Sequence, residues 1–295
     1  MGVVRLWGAG IVHLIVGLIL AVYILSKGKT LIDPPLWKKT VRFALPLIPH
    51  YLGFAFLNGT DKLMINAMVG TDKAGIYSLA AVISTIGVLL WSALCVTVTP
   101  FVNEMLGQKN YRKISDCILP LLLLIGIVCV LVSLLAPEVI WVLGTKEYME
   151  GIYVVPATVA GVFLHVVYDI FSNVSFFHKK NVRIMLATLF AAVLNIVLNY
   201  IFIQQYGYVA ASYTTLLSFL LLAVLHYFCA KTIIHESILD LKKTLLLSAV
   251  VVAGCVGCSF LYEVRLLRYA FCLGLLAVIY LYRKSFIKSI VDMKV

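Results

Sequence analysis

Charge is scarce in this chain of 295 residues. Asp, Glu, Lys and Arg make up 13% of it, and only 13 residues are acidic, where soluble domains carry about 25% charged residues. There is no linker, no low-complexity stretch and no loop long enough to fold as a soluble domain. GxSxG, a Walker loop, HExxH and a carboxylate pair in an outer loop are all missing, so the usual hydrolytic, nucleotide-driven and glycosyl-transfer chemistries lack their residues. Neither an enzyme nor a cofactor is expected. Seven cysteines lie mostly in apolar runs, and Cys255 and Cys258 stand one turn apart without a second pair or a nearby histidine. A structural zinc needs four ligands, so no metal is expected and the thiols read as buried packers.

What is present is apolar. AVILMFWYC residues reach 63% and the mean hydropathy is +1.05, which points to an all-α, polytopic transmembrane bundle. A span takes about 20 apolar residues, and such runs fall at 3–26, 42–69, 75–102, 114–136, 151–176, 182–203, 208–230, 244–262 and 266–283. Val139 to Gly144 is too short to cross and reads as an interfacial piece anchored by Trp141. The opening run is long enough to span and no small-residue cleavage site follows it, so no cleavable signal peptide is expected.

The net charge of +11 would suggest nucleic acid in a soluble protein. Here it follows topology. Eighteen Lys and Arg, among them Lys27, Lys29, Lys38, Lys39, Arg42, Lys179, Lys180 and Lys294, fall on one side of the membrane. Five (Arg5, Lys73, Lys146, Arg265, Arg268) fall on the other, and Lys62 lies within a span. Positive charge stays inside, so the amino end is expected outside and the carboxyl end in the cytoplasm of a multi-pass cell-membrane protein, with membrane lipids and not nucleic acid as its surroundings.

Polar groups at helical spacing mark three spans. The second holds His50 and Tyr51, then Asn58, Asp61 and Lys62, with Pro46 and Pro49 opening the helix. Ions survive in hydrocarbon only when paired, or when facing a bundle interior or a wet cavity. Neighbours Asp61 and Lys62 diverge by about 100° and cannot pair ideally with each other. The fifth span holds His165, Asp169 and Asn173 at four-residue steps, where a carboxylate could hold an imidazolium. The sixth holds Thr188, Asn195 and Asn199. Each stripe has a plain alternative, since Asn in a span commonly bonds to a neighbouring helix and a histidine can be a bonded core residue. Ala211, Thr215 and Ser218 in the seventh read as close packing.

Several of these segments resemble one family. LWKKTVRFALPLIPHYLGFAFLNGTDKLMINAMVGTDKAGIYSLA (36–80) is similar to the start of the second lobe in polysaccharide exporter (Wzx-type) flippases, of the superfamily that also holds the multidrug and toxin extrusion (MATE) transporters. The matching positions are Leu45, Pro46, Asp61, Lys62, Gly70, Gly75, Ile76 and Tyr77. TPFVNEM (99–105) resembles the inner end of the family's next helix. In 178–219, Lys179, Asn195, Asn199, Gly207, Ala210, Ala211 and Thr214 fall in register with a further family stretch.

The resemblance implies a single transmembrane domain of about nine spans, like a second lobe with two added helices. Residues 1–41 would be the last helix of a first lobe and the connection between lobes, 42–230 the second-lobe helices, and 244–295 the terminal pair and tail. Family members carry twelve or fourteen spans in two lobes, so this chain is expected to be a portion of a longer protein, to assemble with a first-lobe chain, or to be an inactive remnant. The implied activity is flipping of a polyprenyl-diphosphate-linked oligosaccharide for surface polysaccharide biosynthesis, with a glycan polymerase as a further candidate partner. Lys62 would attract the diphosphate. Asp61, His165 and Asp169 would couple an ion or set the charge, and Asn58, Asn195 and Asn199 would meet sugar hydroxyls, with Asn173 on the same path. The alternative is a multidrug or cation pump of the same superfamily.

Overall fold

In hydrocarbon a helix satisfies every backbone group internally, so long apolar runs become helices. The computed structural model describes residues 2–28 and 33–293, with the backbone alone at residues 2–6 and 9. Lys29 and Lys294, counted above in the charge bias, lie outside the described residues. Eleven α-helices follow in chain order: α1 (Gly2–Gly28), α2 (Pro34–Ala44), α3 (Leu47–Met68), α4 (Thr71–Gly107), α5 (Tyr111–Leu134), α6 (Ala136–Leu143), α7 (Val155–Phe177), α8 (Asn181–Tyr206), α9 (Ala210–Ile234), α10 (Leu241–Gly257) and α11 (Arg265–Val291). Short 3₁₀ segments, Lys146–Tyr153 and Cys258–Leu261, join α6 to α7 and end α10. There is no strand among the described residues.

Among the described residues nine stretches are long and apolar enough to cross a membrane, one for each run read from the sequence, the second being Pro34–Met68, α2 and α3 together. α4 reaches Gly107 with Pro100 inside it, five residues beyond the expected end. Pro46 is the N-cap of α3 and Pro49 lies in its first turn, where a missing N–H costs no helical bond. The piece around Trp141 is α6, with Trp141 and Val142 exposed.

The chain divides into two units between Leu45 and Pro46. The first holds α1 and α2. The second holds α3 to α11, with α7 at its centre: α7 packs on α4, α5, α9 and α10, and α3 packs on α8 and α4. α10 and α11 pack against α5. Most of α7 is buried, and five of the seven thiols, all free, are buried as well.

Candidate functional site

Two hairpins in the second unit bring the polar stripes to one depth. α3 turns into α4 at Gly70 (φ 131°, ψ 162°), and α8 turns into α9 at Gly207 (φ 75°, ψ −171°). Both angles lie in a region that glycine alone adopts freely. Asp61 and Tyr77 stand at similar distances on either side of the first turn, and Asn199 and Thr215 on either side of the second. Antiparallel neighbours equally far from a turn lie level, so four helices present polar groups to each other.

They meet on Asp61, which is 4% exposed. The Tyr77 hydroxyl donates to Oδ2 at 2.6 Å, the Thr215 hydroxyl to Oδ2 at 2.7 Å, and Asn199 Nδ2 to Oδ1 at 2.6 Å. Asn199 Nδ2 also reaches Asn195 Oδ1 at 3.2 Å, Asn195 Nδ2 donates to Thr215 Oγ1 at 3.0 Å, and the Thr214 hydroxyl donates to Asn199 Oδ1. Asn195 and Asn199, offered by the sequence to sugar hydroxyls, are instead fully buried in this network. Thr215, read as packing, is a ligand of the carboxylate, while Ala211 and Ser218 are buried on the same helix.

Beside the network opens a cleft of about 240 Å³ lined by α3, α4, α7 and α9, including Phe54, Asn58, Asp61, Lys62, Tyr77, Ser84, Thr85, Thr158, His165, Thr215 and Phe219. Lys62 is half-buried there. It forms no ion pair among the described residues, with Asp61 or any other acid. Asn58 is exposed, and its amide donates to the Phe54 carbonyl at 2.8 Å. His165 packs beside two aromatic rings, near-parallel to Tyr168 at 5.2 Å and to Phe219 at 5.7 Å.

Asp169 points elsewhere. Trp91 Nε1 donates to its Oδ2 at 2.9 Å and Cys95 Sγ lies 3.7 Å from the same oxygen; Ser172 reaches Oδ1 at 3.4 Å. No hydrogen bond joins it to His165 among the described residues, although the two are one turn apart. Asn173 donates to the Asp169 backbone carbonyl at 2.8 Å. Asp169 and Asn173 line a second pocket of about 500 Å³ with Thr99, Asn103, Phe176 and Phe177. The stripe on α7 therefore serves two cavities: His165 the first, Asp169 and Asn173 the second.

His50 is buried, with Nδ1 2.7 Å from the Thr188 hydroxyl. The same hydroxyl lies 3.0 Å from the Ile184 carbonyl, so its one proton has two acceptors in reach. This tie fastens the other end of α3 to α8.

Residues 3–106 match the family model described as polysaccharide biosynthesis protein. A probable low-salt glycan biosynthesis flippase, Agl15 of Haloferax volcanii, is 24% identical over 209 residues, 68% of this chain and 44% of that protein. The resemblance to the polysaccharide exporter flippases holds. Among solved structures, a MOP superfamily transporter from Pyrococcus furiosus superposes with a TM-score of 0.52 at 20% identity, over 74% of this chain and 52% of that one. A MATE transporter in a bent conformation gives 0.53 at 19% identity, over 73% and 51%. At these identities the likeness is one of fold: an all-helical, multi-pass membrane bundle of the MATE type. The chain spans about half the length of these relatives.

Proposed function

We propose that this chain supplies one lobe of a flippase that carries a polyprenyl-diphosphate-linked oligosaccharide across the cytoplasmic membrane, without covalent chemistry. In this reading residues 1–41 close a first lobe and link it to the second, 42–230 form the second lobe, and 244–295 add a terminal pair. The amino end lies outside and the carboxyl end in the cytoplasm, and the first lobe comes from the same longer chain or from a partner.

The observation that carries the reading is Lys62. Asp61, its neighbour, turns its oxygens to three neutral donors, and the Lys62 ammonium on the cleft wall has no ion-pair partner among the described residues. A diphosphate entering the cleft would gain charge-assisted hydrogen bonds there. Asn58 and the hydroxyls of Ser84, Thr85 and Thr158 add polar groups along the same wall. Aromatic faces at Phe54 and Phe219 offer apolar contact. A cation pump would place its substrate against the same ammonium, which disfavours that alternative.

The test is export by the whole transporter. Lys62→Ala should lower surface glycan display at least tenfold with normal protein levels, and Lys62→Arg should retain much of it. Undiminished display in Lys62→Ala would remove the proposed anion site. Unchanged display together with lost resistance to cationic drugs would favour the pump.

A further inference from the structure

Asp169 has no cation beside it. It makes no ion pair among the described residues, and its two oxygens are served unequally. Oδ2 takes the Trp91 N–H and the Cys95 thiol. Oδ1 has only the Ser172 hydroxyl at 3.4 Å, and that hydroxyl has a nearer acceptor, the Asp169 backbone carbonyl at 2.8 Å. A carboxylate oxygen offers two acceptor sites, so Oδ1 has acceptor capacity to spare on the wall of the second cavity, about 500 Å³ in volume.

The same wall carries further unused polar groups. Trp91, Cys95, Thr99 and Asn103 follow at four-residue steps along α4, which packs on α7, and so lie along one side of that helix. Thr99 and Asn103 are half-buried, and their side chains line the cavity without a hydrogen bond among the described residues. Asn173 is 7% exposed. Its amide donates to the Asp169 carbonyl, and its own Oδ1 accepts no hydrogen bond among the described residues. Phe176 and Phe177 complete the lining, with Phe176 set edge-on to His50 at 6.2 Å.

This set suits neither an anion nor a metal. Among the described residues no Lys or Arg lines the cavity, and no group of three His, Cys, Asp or Glu is placed to hold a metal ion. A hard cation such as calcium takes about six to eight oxygens at about 2.3–2.6 Å, and a cavity this wide does not close such a shell on one point. Two amides and a hydroxyl each offer donor and acceptor together, and the carboxylate oxygen accepts. Aromatic faces carry the negative side of the ring quadrupole and attract the C–H groups on the face of a pyranose. The volume falls within the range of about 300–1,000 Å³ for small-molecule sites. These features match a neutral, hydroxyl-rich ring.

We propose that this cavity is a sugar site, in which Asp169 Oδ1, Thr99, Asn103 and Asn173 bond the hydroxyls of one ring of the transported oligosaccharide. The proposal rests on the flippase reading and adds a second station to it. Tyr77, bonded to Asp61, and Trp91, bonded to Asp169, stand about 21 Å apart along α4. The cavity therefore reads a sugar well removed from a diphosphate held at Lys62. It lies toward the ends of α4 and α7 at Gly107 and Phe177, the ends that the charge bias assigns to the cytoplasm, where transport begins.

The test is thiol protection in the whole transporter, in inside-out vesicles. Cys95 and Cys229, the two thiols of this chain that are not buried, are replaced by Ser. Gly107→Cys sets a reporter at the mouth of the cavity, its Cβ 3.8 Å from Phe177 Cζ, and removes no lining side chain. Ser84→Cys reports on the cleft at Lys62. The probes are the lipid-linked oligosaccharide fraction of the source cells and polyprenyl diphosphate without sugars. The first should slow maleimide labelling of Gly107→Cys at least tenfold, and the second should slow Ser84→Cys alone. Asp169→Asn with Asn103→Ala should remove the protection at Gly107→Cys and leave that at Ser84→Cys, which also shows the variant to be folded. Protection at Ser84→Cys without any at Gly107→Cys would overturn the sugar site and leave the flippase reading standing. Protection at neither would overturn both. Protection of Gly107→Cys by polyprenyl diphosphate or by tetraphenylphosphonium would also overturn the sugar site, in favour of an anion or an organic cation.

Discussion

Asn199 on α8 donates its side-chain amide to the carboxylate of Asp61 on α3 at 2.6 Å, joining residues 138 apart in the chain. The bond decides what Asp61 can be. With three donors on its two oxygens it fastens four helices, and Lys62 lines the cleft beside it without an ion pair among the described residues.

Removing the hub should therefore cost more than removing a spoke. Hydrogen bonds between membrane helices average about 0.6 kcal/mol, whereas a buried polar group left without its partner costs about 1–3 kcal/mol. Asp61→Ala strands Tyr77, Thr215 and Asn199 together and should lower the thermal midpoint in detergent most. Asn199→Ala should lower it less, and Lys62→Ala little. An Asp61→Ala protein as stable as the unsubstituted one would show that the network holds nothing together.

The buried ion pair between α11 and α6 gives an asymmetric prediction. The Arg268 side chain is 2% exposed and that of Glu138 35%, and the Tyr269 hydroxyl also donates to Glu138 at 2.8 Å. Glu138→Gln leaves a buried guanidinium without its counter-charge, a loss of about 3–5 kcal/mol. Arg268→Gln leaves a carboxylate that water can still reach, and should cost less. Unfolding midpoints of the two variants test the order, and equal midpoints would contradict it.

Gly70→Ala and Gly207→Ala should each destabilise by about 1–3 kcal/mol, from backbone strain alone. Nothing lies within 4 Å of where either Cβ would be, so the loss cannot come from a clash. Unchanged thermal midpoints would show that these turns relax without penalty.

Orientation can be read by labelling in intact cells. A membrane-impermeant maleimide should modify Glu147→Cys from outside, and Lys242→Cys only after the membrane is opened. Both positions are exposed. The opposite pattern would invert the topology drawn from the charge bias.

The nine long apolar helical stretches among the described residues were legible because length and hydropathy decide them, with little competition from packing. The site was legible in part. Asn195 and Asn199 share a helix face in the sequence, but their partner Asp61 lies a whole hairpin away, and no local spacing points to it. The usable signal was symmetry about the turns, which places Tyr77 level with Asp61, and Thr214 and Thr215 level with Asn199. The resemblance put Tyr77 and Thr214 in register without giving either a partner. His165 and Asp169 show the opposite case: one-turn spacing brings two side chains to one face, but their hydrogen-bonding and ring neighbours differ. Here Trp91, from another helix, supplies the better donor to Asp169.

α4 has 37 residues, about 55 Å of helix, so it runs well past a hydrocarbon core of about 30 Å. Tyr77 fixes it near one end, at the level of Asp61, and the opposite end stands beyond the bilayer. A tilt of roughly 10° about Tyr77 would sweep the far end through several ångströms, on the order of one helical turn or more. A change at Asp61 that tilted α4 by that amount would be enlarged at the opposite end of the bundle, at Gly107.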